Sequence, residues 1–289
     1  MGYTRFYLET NALRQLNSKL ELLKDNYFTS GLSILELISG IDGKEYQLRS
    51  TVIKKILTSK IPIVWELPES IQANAFPIIE FTDFRIAGLK EICKIIVDYE
   101  DKTEVLKHIN SLKYDVKYFS DLDDSYSKKF IDATKKGNED LKKELNDSLK
   151  EPLGLGNVKH SVAKEFVKNL PNDTYLNESI TLYAIVESLG DGIDFEHPDN
   201  PIDRGELFDS YNGDINIFIR AFSKFTATKG ATGSIPGKND FVDLHHLLYL
   251  GNKKDCAIVS DDKMIQEINE QTIGVDDFRN LHLTGAKNP

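Results

Sequence analysis

The apolar positions of this chain change period several times, and the changes mark its elements. From residue 239 to 263 the sequence reads NDFVDLHHLLYLGNKKDCAIVSDDK. Phe241, Leu244, Leu247 and Leu248 recur at helical spacing, which predicts a helix. Cys256-Ala257-Ile258-Val259 is a continuous apolar run of strand length, the pattern of a strand covered on both faces. Ser260, Asp261 and Asp262 follow it at once. Near the N-terminus, Phe6-Tyr7-Leu8 predicts a first strand that ends in Glu9, Thr10 and Asn11. Asn11 is expected to cap a helix with apolar positions Leu13, Leu16, Leu20 and Leu23. Residues 27–30 predict a second strand, and 32–39 a helix that places Glu36 among apolar neighbours. A helix over 46–59, a strand over 61–65 and a helix over 68–76 follow.

The middle reads as mainly helical. Apolar stripes fall at Val105, Ile109 and Leu112, at Leu141, Leu145 and Leu149, at Val158, Val162 and Phe166, and at Ile215, Phe218, Phe222 and Phe225. Residues 127–150 are highly charged and predict an exposed helical hairpin. Residues 190–205 are dense in Gly, Asp and Pro and predict a loop. Residues 226–238 (TATKGATGSIPGK) predict a second, flexible loop, with Lys229 and Lys238 placed to close over a phosphate backbone. After Lys263 a helix to about residue 271 and a short strand over 272–275 complete the pattern. The expected organisation is an α/β core built from residues 1–77 and 230–289. It has a central, mainly parallel sheet flanked by helices, and 78–229 form a large helical insertion or cap.

The acids fall in a definite order: Glu9 after the first strand, Glu36 on an early helix, Asp240 and Asp243 on a late helix, Asp261 and Asp262 after a late strand. In open parallel sheets ligands bind beyond the carboxyl ends of strands, so these acids are expected to converge. The order resembles that of the PIN-domain nucleases. There a strand ending in an acidic-Thr-Asn triplet opens the fold, a late helix carries an Asp, and Thr/Ser-x-Asp follows the next strand. The resemblance covers about residues 3–80 and 239–280. It implies a PIN-like core and a metal-dependent nuclease, with Glu9, Glu36, Asp243 and Asp262 as catalytic acids. Those four and Asp261 would hold Mg2+ or Mn2+. The family's usual first acid is Asp, so Glu9 sets its carboxylate about one bond further out. Asn11, Ser260 and Asp240 are expected to orient the ligands. Taken singly, each of these acids also reads as a helix cap or a solvated charge.

Such a carboxylate set suits phosphodiester hydrolysis, because hard divalent cations need oxygen ligands and supply Lewis acidity. The resemblance implies an endoribonuclease acting on single-stranded or loop RNA, leaving a 3′-hydroxyl and a 5′-phosphate. Toxin, antiviral-defence and RNA-turnover roles are all known in the family. A DNA nuclease of the same chemistry and a catalytically degenerate nucleic-acid-binding or scaffold protein are the alternatives. An antitoxin or regulatory partner and a homo-oligomer accompany the family reading.

Composition narrows this only a little. The chain has 289 residues with 36 basic and 46 acidic side chains, a net charge of -10. That argues against a protein that coats polyanions through a basic field, but not against a metal-assisted nuclease. Two cysteines, Cys93 and Cys256, suit a reducing, cytoplasmic setting. No leader pattern is seen, and no apolar run nears the roughly 20 residues of a membrane span, so a membrane role is not expected. His245 and His246 lack cysteine partners, which weakens a zinc reading; one packed and one exposed histidine is the expectation. Arg14 reads as the partner of an acid or as a phosphate contact, and Trp65, Tyr99 and Tyr114 as core aromatics or as platforms for bases, with the acid pair and the core expected.

Overall fold

A computed structural model describes residues 2–23, 26–126, 174–196, 202–232 and 234–283, with isolated positions between 128 and 135. Among these, the strands are β1 (Arg5–Leu8), β2 (Tyr27–Ser30), β3 (Ile63–Val64), β4 (Cys256–Val259) and β5 (Thr272–Ile273). They form one sheet in the order β3-β2-β1-β4-β5, with every pairing parallel. The expected α/β core is present as a parallel sheet flanked by helices.

Alternation along β1 shows why its sequence is apolar throughout. Phe6 and Leu8 point into the main core cluster, with residues of the helices α1 (Thr10–Gln15), α2 (Gly31–Ser39), α3 (Tyr46–Thr58), α5 (Arg85–Asp98) and α6 (Lys102–Ile109). Tyr7 points the other way, its ring 5.4 Å from those of both Tyr249 and Phe28. Both faces of the sheet are therefore covered, and no polar alternation is tolerated. The second face is closed by the 3-10 turn His246–Leu250 and by α4 (Pro68–Asn74).

Two compact units emerge. The first holds residues 1–124, 212–217 and 245–289; the second holds 125–211 and 218–244. The first unit thus runs past residue 77 and takes in α5 and α6, whose Leu89, Ile92, Cys93, Ile96, Val105 and Ile109 belong to the same core as β1. In the second unit the helices Thr174–Glu196 and Arg204–Asp209 pack together around Leu207, and Phe222 meets Phe241 edge-on at 5.9 Å. Among the described residues no helix is long and apolar enough to cross a membrane.

Several local expectations fail for identifiable reasons. The helix Thr174–Glu196 covers residues 190–196 of the region expected to be a loop over 190–205, and another helix starts at Arg204. A glycine inside a helix costs only about 1 kcal/mol relative to alanine, so composition alone did not stop it. The expected loop over 226–238 is helical as far as Thr232. Its threonines bond back to the preceding turn, Thr226 Oγ1 to Phe222 O at 3.0 Å and Thr228 Oγ1 to Lys224 O at 2.7 Å. The last strand stops at Ile273, and Val275 opens a further helix, Val275–His282, whose Phe278 packs 5.5 Å from Phe6. The hairpin expected over 127–150 and the stripes at Leu141 and Val158 lie outside the described residues, apart from a few isolated positions of the hairpin.

Gly31, the first residue of α2, carries a close approach between strands and helix. A Cβ there would lie 2.4 Å from the carbonyl oxygen of Trp65. That contact is with backbone, so it cannot be relieved by a rotamer change. Gly31→Ala is expected to lower stability by about 1–3 kcal/mol in urea denaturation, despite alanine's better helix propensity. An unchanged midpoint would mean that the β3 edge shifts freely.

Candidate functional site

The sheet order makes the position of Glu9 special. From β1 the chain moves to β2 on one side, while β4 lies on the other, so the carboxyl ends of β1 and β4 form the topological switch point. Leu8 pairs with Val259, so Glu9 and Ser260 are the next residues on adjacent strands. Glu36 arrives from α2, which follows β2 directly, and Thr10 Oγ1 donates a hydrogen bond to its Oε2. The structure thus gathers Glu9, Glu36, Ser260, Asp261 and Asp262 about one end of the sheet in the first unit.

Glu9, not Asn11, caps α1. Its Oε2 accepts from the Asn11 backbone N–H at 2.6 Å and its Oε1 from that of Ala12 at 3.1 Å. The carboxylate turns back onto the first turn of its own helix. Asn11 contributes its backbone amide and leaves its side chain exposed. Glu9 is only 5% exposed. Burial pushes its carboxyl from the ordinary 4.5 to about 7; the nearby Glu36 adds to the rise, while His246 and the two amides oppose it.

The acids after β4 are engaged differently. Asp261 Oδ1 accepts from Val275 N at 2.8 Å and its Oδ2 from Gln15 Nε2 at 3.1 Å. Asp262 Oδ1 caps the helix Lys263–Ile268 at Ile265 N, 3.0 Å away, and Ser260 Oγ accepts from Asp262 N at 3.1 Å. Asp240 and Asp243 lie on the helix Asp240–His245, in the part that belongs to the second unit. Asp240 accepts from Gly237 N at 2.9 Å and meets Lys229 Nζ at 3.3 Å. Arg14 pairs with Glu45 at 2.7 Å, as its sequence position suggested. Trp65, Tyr99 and Tyr114 pack partly buried against the core.

The histidine pair departs from expectation, because both rings are buried. His246 Nε2 lies 2.9 Å from Glu36 Oε2, and its Nδ1 lies 2.5 Å from Tyr7 OH. Tyr7 OH also meets Ser30 Oγ at 2.7 Å and Ser33 Oγ at 3.3 Å. The sequence placed Tyr7 and Ser30 only as strand residues, and set His246 against a zinc site rather than beside Glu36. The one available signal was the setting of His245-His246 between Leu244 and Leu247, which points to burial of both rings.

Glu9 and Glu36 are the residues best placed to hold a cation. A buried carboxyl held neutral up to about pH 7, with a second carboxylate adding to its rise, is relieved by a positive charge between them. Their hard oxygens fit Mg2+ or Mn2+, and Mg2+ commonly takes one or two protein carboxylates and fills the rest with water or phosphate. Among the described residues, no three His, Cys, Asp and Glu side chains are grouped as a ligand set. Compared with family models, curated proteins and solved structures, the chain matches none.

Two buried groups set opposite pH dependences. Glu9's raised value means its contribution to stability is full below about 4.5 and is lost as pH rises through about 7. His245 is pushed by burial from 6.5 down to about 4, so its contribution is full above 6.5 and is lost as pH falls through about 4. Glu9→Gln keeps one acceptor for the α1 cap and removes the ionisation. Relative to wild type, this variant is expected to gain about 1–3 kcal/mol between roughly pH 5 and pH 8. It should retain the acid-side loss. Parallel stability curves for the two proteins would contradict the assignment.

Proposed function

We propose that the chain is a PIN-like, metal-dependent nuclease, most simply an endoribonuclease that hydrolyses single-stranded or loop RNA. The observation that carries this reading is the meeting of Glu9 and Glu36 at the switch point of a parallel sheet, with Glu9 buried enough to resist ionisation on its own. Such a pair costs stability unless something positive is held there, and anionic substrate needs the same positive charge. When bound, a divalent cation supplies Lewis-acid stabilisation of charge on the phosphoryl oxygens and makes water more acidic. Glu9 and Glu36 hold the cation, and Thr10 and His246 fix Glu36 through hydrogen bonds to Oε2. Asp243 and Asp262 complete the acid order of the resemblance, Asp261 and Asp240 are its further candidates, and Asn11 and Ser260 support them. Toxin and defence roles, a cytoplasmic setting and an antitoxin-like partner follow from the resemblance.

One observation favours a rival reading, a binding or scaffold protein that no longer cleaves. Both oxygens of Glu9 already accept backbone amides, so this carboxylate has a structural use.

The test is cleavage of end-labelled single-stranded RNA and DNA with Mn2+, with Mg2+ and with EDTA. Wild type is compared with Glu36→Gln and Asp243→Asn. The expected result is metal-dependent RNA cleavage that falls at least about 100-fold in each variant. A preference for DNA would move the substrate, not the chemistry. Bound metal with no cleavage of either polymer would support the binding protein, and full activity in Glu36→Gln would remove the site.

A further inference from the structure

The carboxylate of Glu36 is reached by a chain of buried side chains. Its Oε2 receives Thr10 Oγ1 from one side and His246 Nε2, at 2.9 Å, from the other. An ionised carboxylate only accepts, so Nε2 carries the hydrogen and donates. The other ring nitrogen, Nδ1, lies 2.5 Å from Tyr7 OH. The Tyr7 and Ser30 hydroxyls are hydrogen-bonded to each other at 2.7 Å. Ser30 Oγ is itself fixed at 3.0 Å by Ser33 N, where it caps α2, the helix that carries Glu36. The chain therefore starts and ends on one helix, passing through β1 and the 3-10 turn at His246. Tyr7 and Ser30 are fully buried and His246 is 2% exposed, while the Glu36 side chain keeps 20% exposure. A rigid interior thus leads to a carboxylate that opens outward.

Resting on the nuclease reading above, we infer that His246 is a positioning residue for the cation site: it fixes the Glu36 carboxylate, and Tyr7 and Ser30 fix His246. Both hydrogen bonds fall on Oε2, so the rotation of the carboxylate is set and Oε1 is presented to a cation. Carboxylate ligands held this way lose about 10–100-fold in metal affinity when the supporting group is removed. A network that served the core alone would show no such loss.

Mn2+ affinity of the full chain, measured by titration calorimetry, separates the two roles when read beside the melting temperature without metal. Wild type is compared with His246→Leu, His246→Gln and Tyr7→Phe. Glutamine places an amide N–H where Nε2–H stands, so it should restore most of the affinity that leucine loses. The expected loss is about 10–100-fold for His246→Leu, smaller for Tyr7→Phe and least for His246→Gln. Should His246→Leu fail to fold, the order of Tyr7→Phe and His246→Gln below wild type carries the test. Wild-type affinity in all variants, with only the metal-free melting temperature lowered, would overturn the inference and leave the nuclease reading standing. No Mn2+ binding by wild type would bring down both.

Discussion

Everything at the candidate site depends on β1 lying between β2 and β4. The pairing of Leu8 with Val259 joins two segments from opposite ends of the chain. Closing so long a loop costs only modestly more than closing a short one, because the entropy grows with the logarithm of length. What repays it is burial: all four residues of β4 and the last three of β1 are buried. The pairing also fixes what lies beyond the strands. A shift of one residue would send Tyr7 into the opposite core and carry Glu9 away from Ser260.

The electrostatics follow from that placement. A carboxylate just past the end of a buried central strand sits in a poor solvent for charge. Opposing influences act on Glu9 here: burial and Glu36 favour the neutral acid, while His246 and the N-terminal amides of α1 favour the anion. Burial wins. Asp261 and Asp262 stand one strand over but are more exposed, and each is committed to hydrogen bonds that hold the C-terminal helices. Neighbouring acids with similar sequence settings therefore differ in burial and in the partners they hold.

Much of the architecture was legible in the sequence because it rests on runs that have one physical solution. Cys256–Val259 has to be a strand covered on both sides, and an apolar strand followed by acids has to place them at the sheet's edge. The end of the 216–232 helix was not legible, since threonine hydroxyls that suit a loop also bond well to helix carbonyls. Nor was the last part of the helix Thr174–Glu196, from residue 190 on, whose glycines read as breakers. Of the site, the position of Glu9 and of Ser260–Asp262 just beyond two strands could be read from the sequence, but the cap on α1 could not. Glutamate is an uncommon cap, and asparagine two residues later is a favoured one. His246 was hidden for a different reason: its partners, Glu36 and Tyr7, lie 210 and 239 residues away, and no local pattern expresses such a contact.

Capping and cation binding by Glu9 look at first like competing uses. An ionised carboxylate offers about four lone pairs, and the two amides take one on each oxygen. The remaining pairs suffice for a cation, provided the carboxylate is ionised. The amides help with that condition, since each favours the anion and the helix terminus adds a partial positive charge. The cap therefore holds the carboxylate in place and lowers the cost of charging it, while burial keeps that cost high enough for a bound cation to matter.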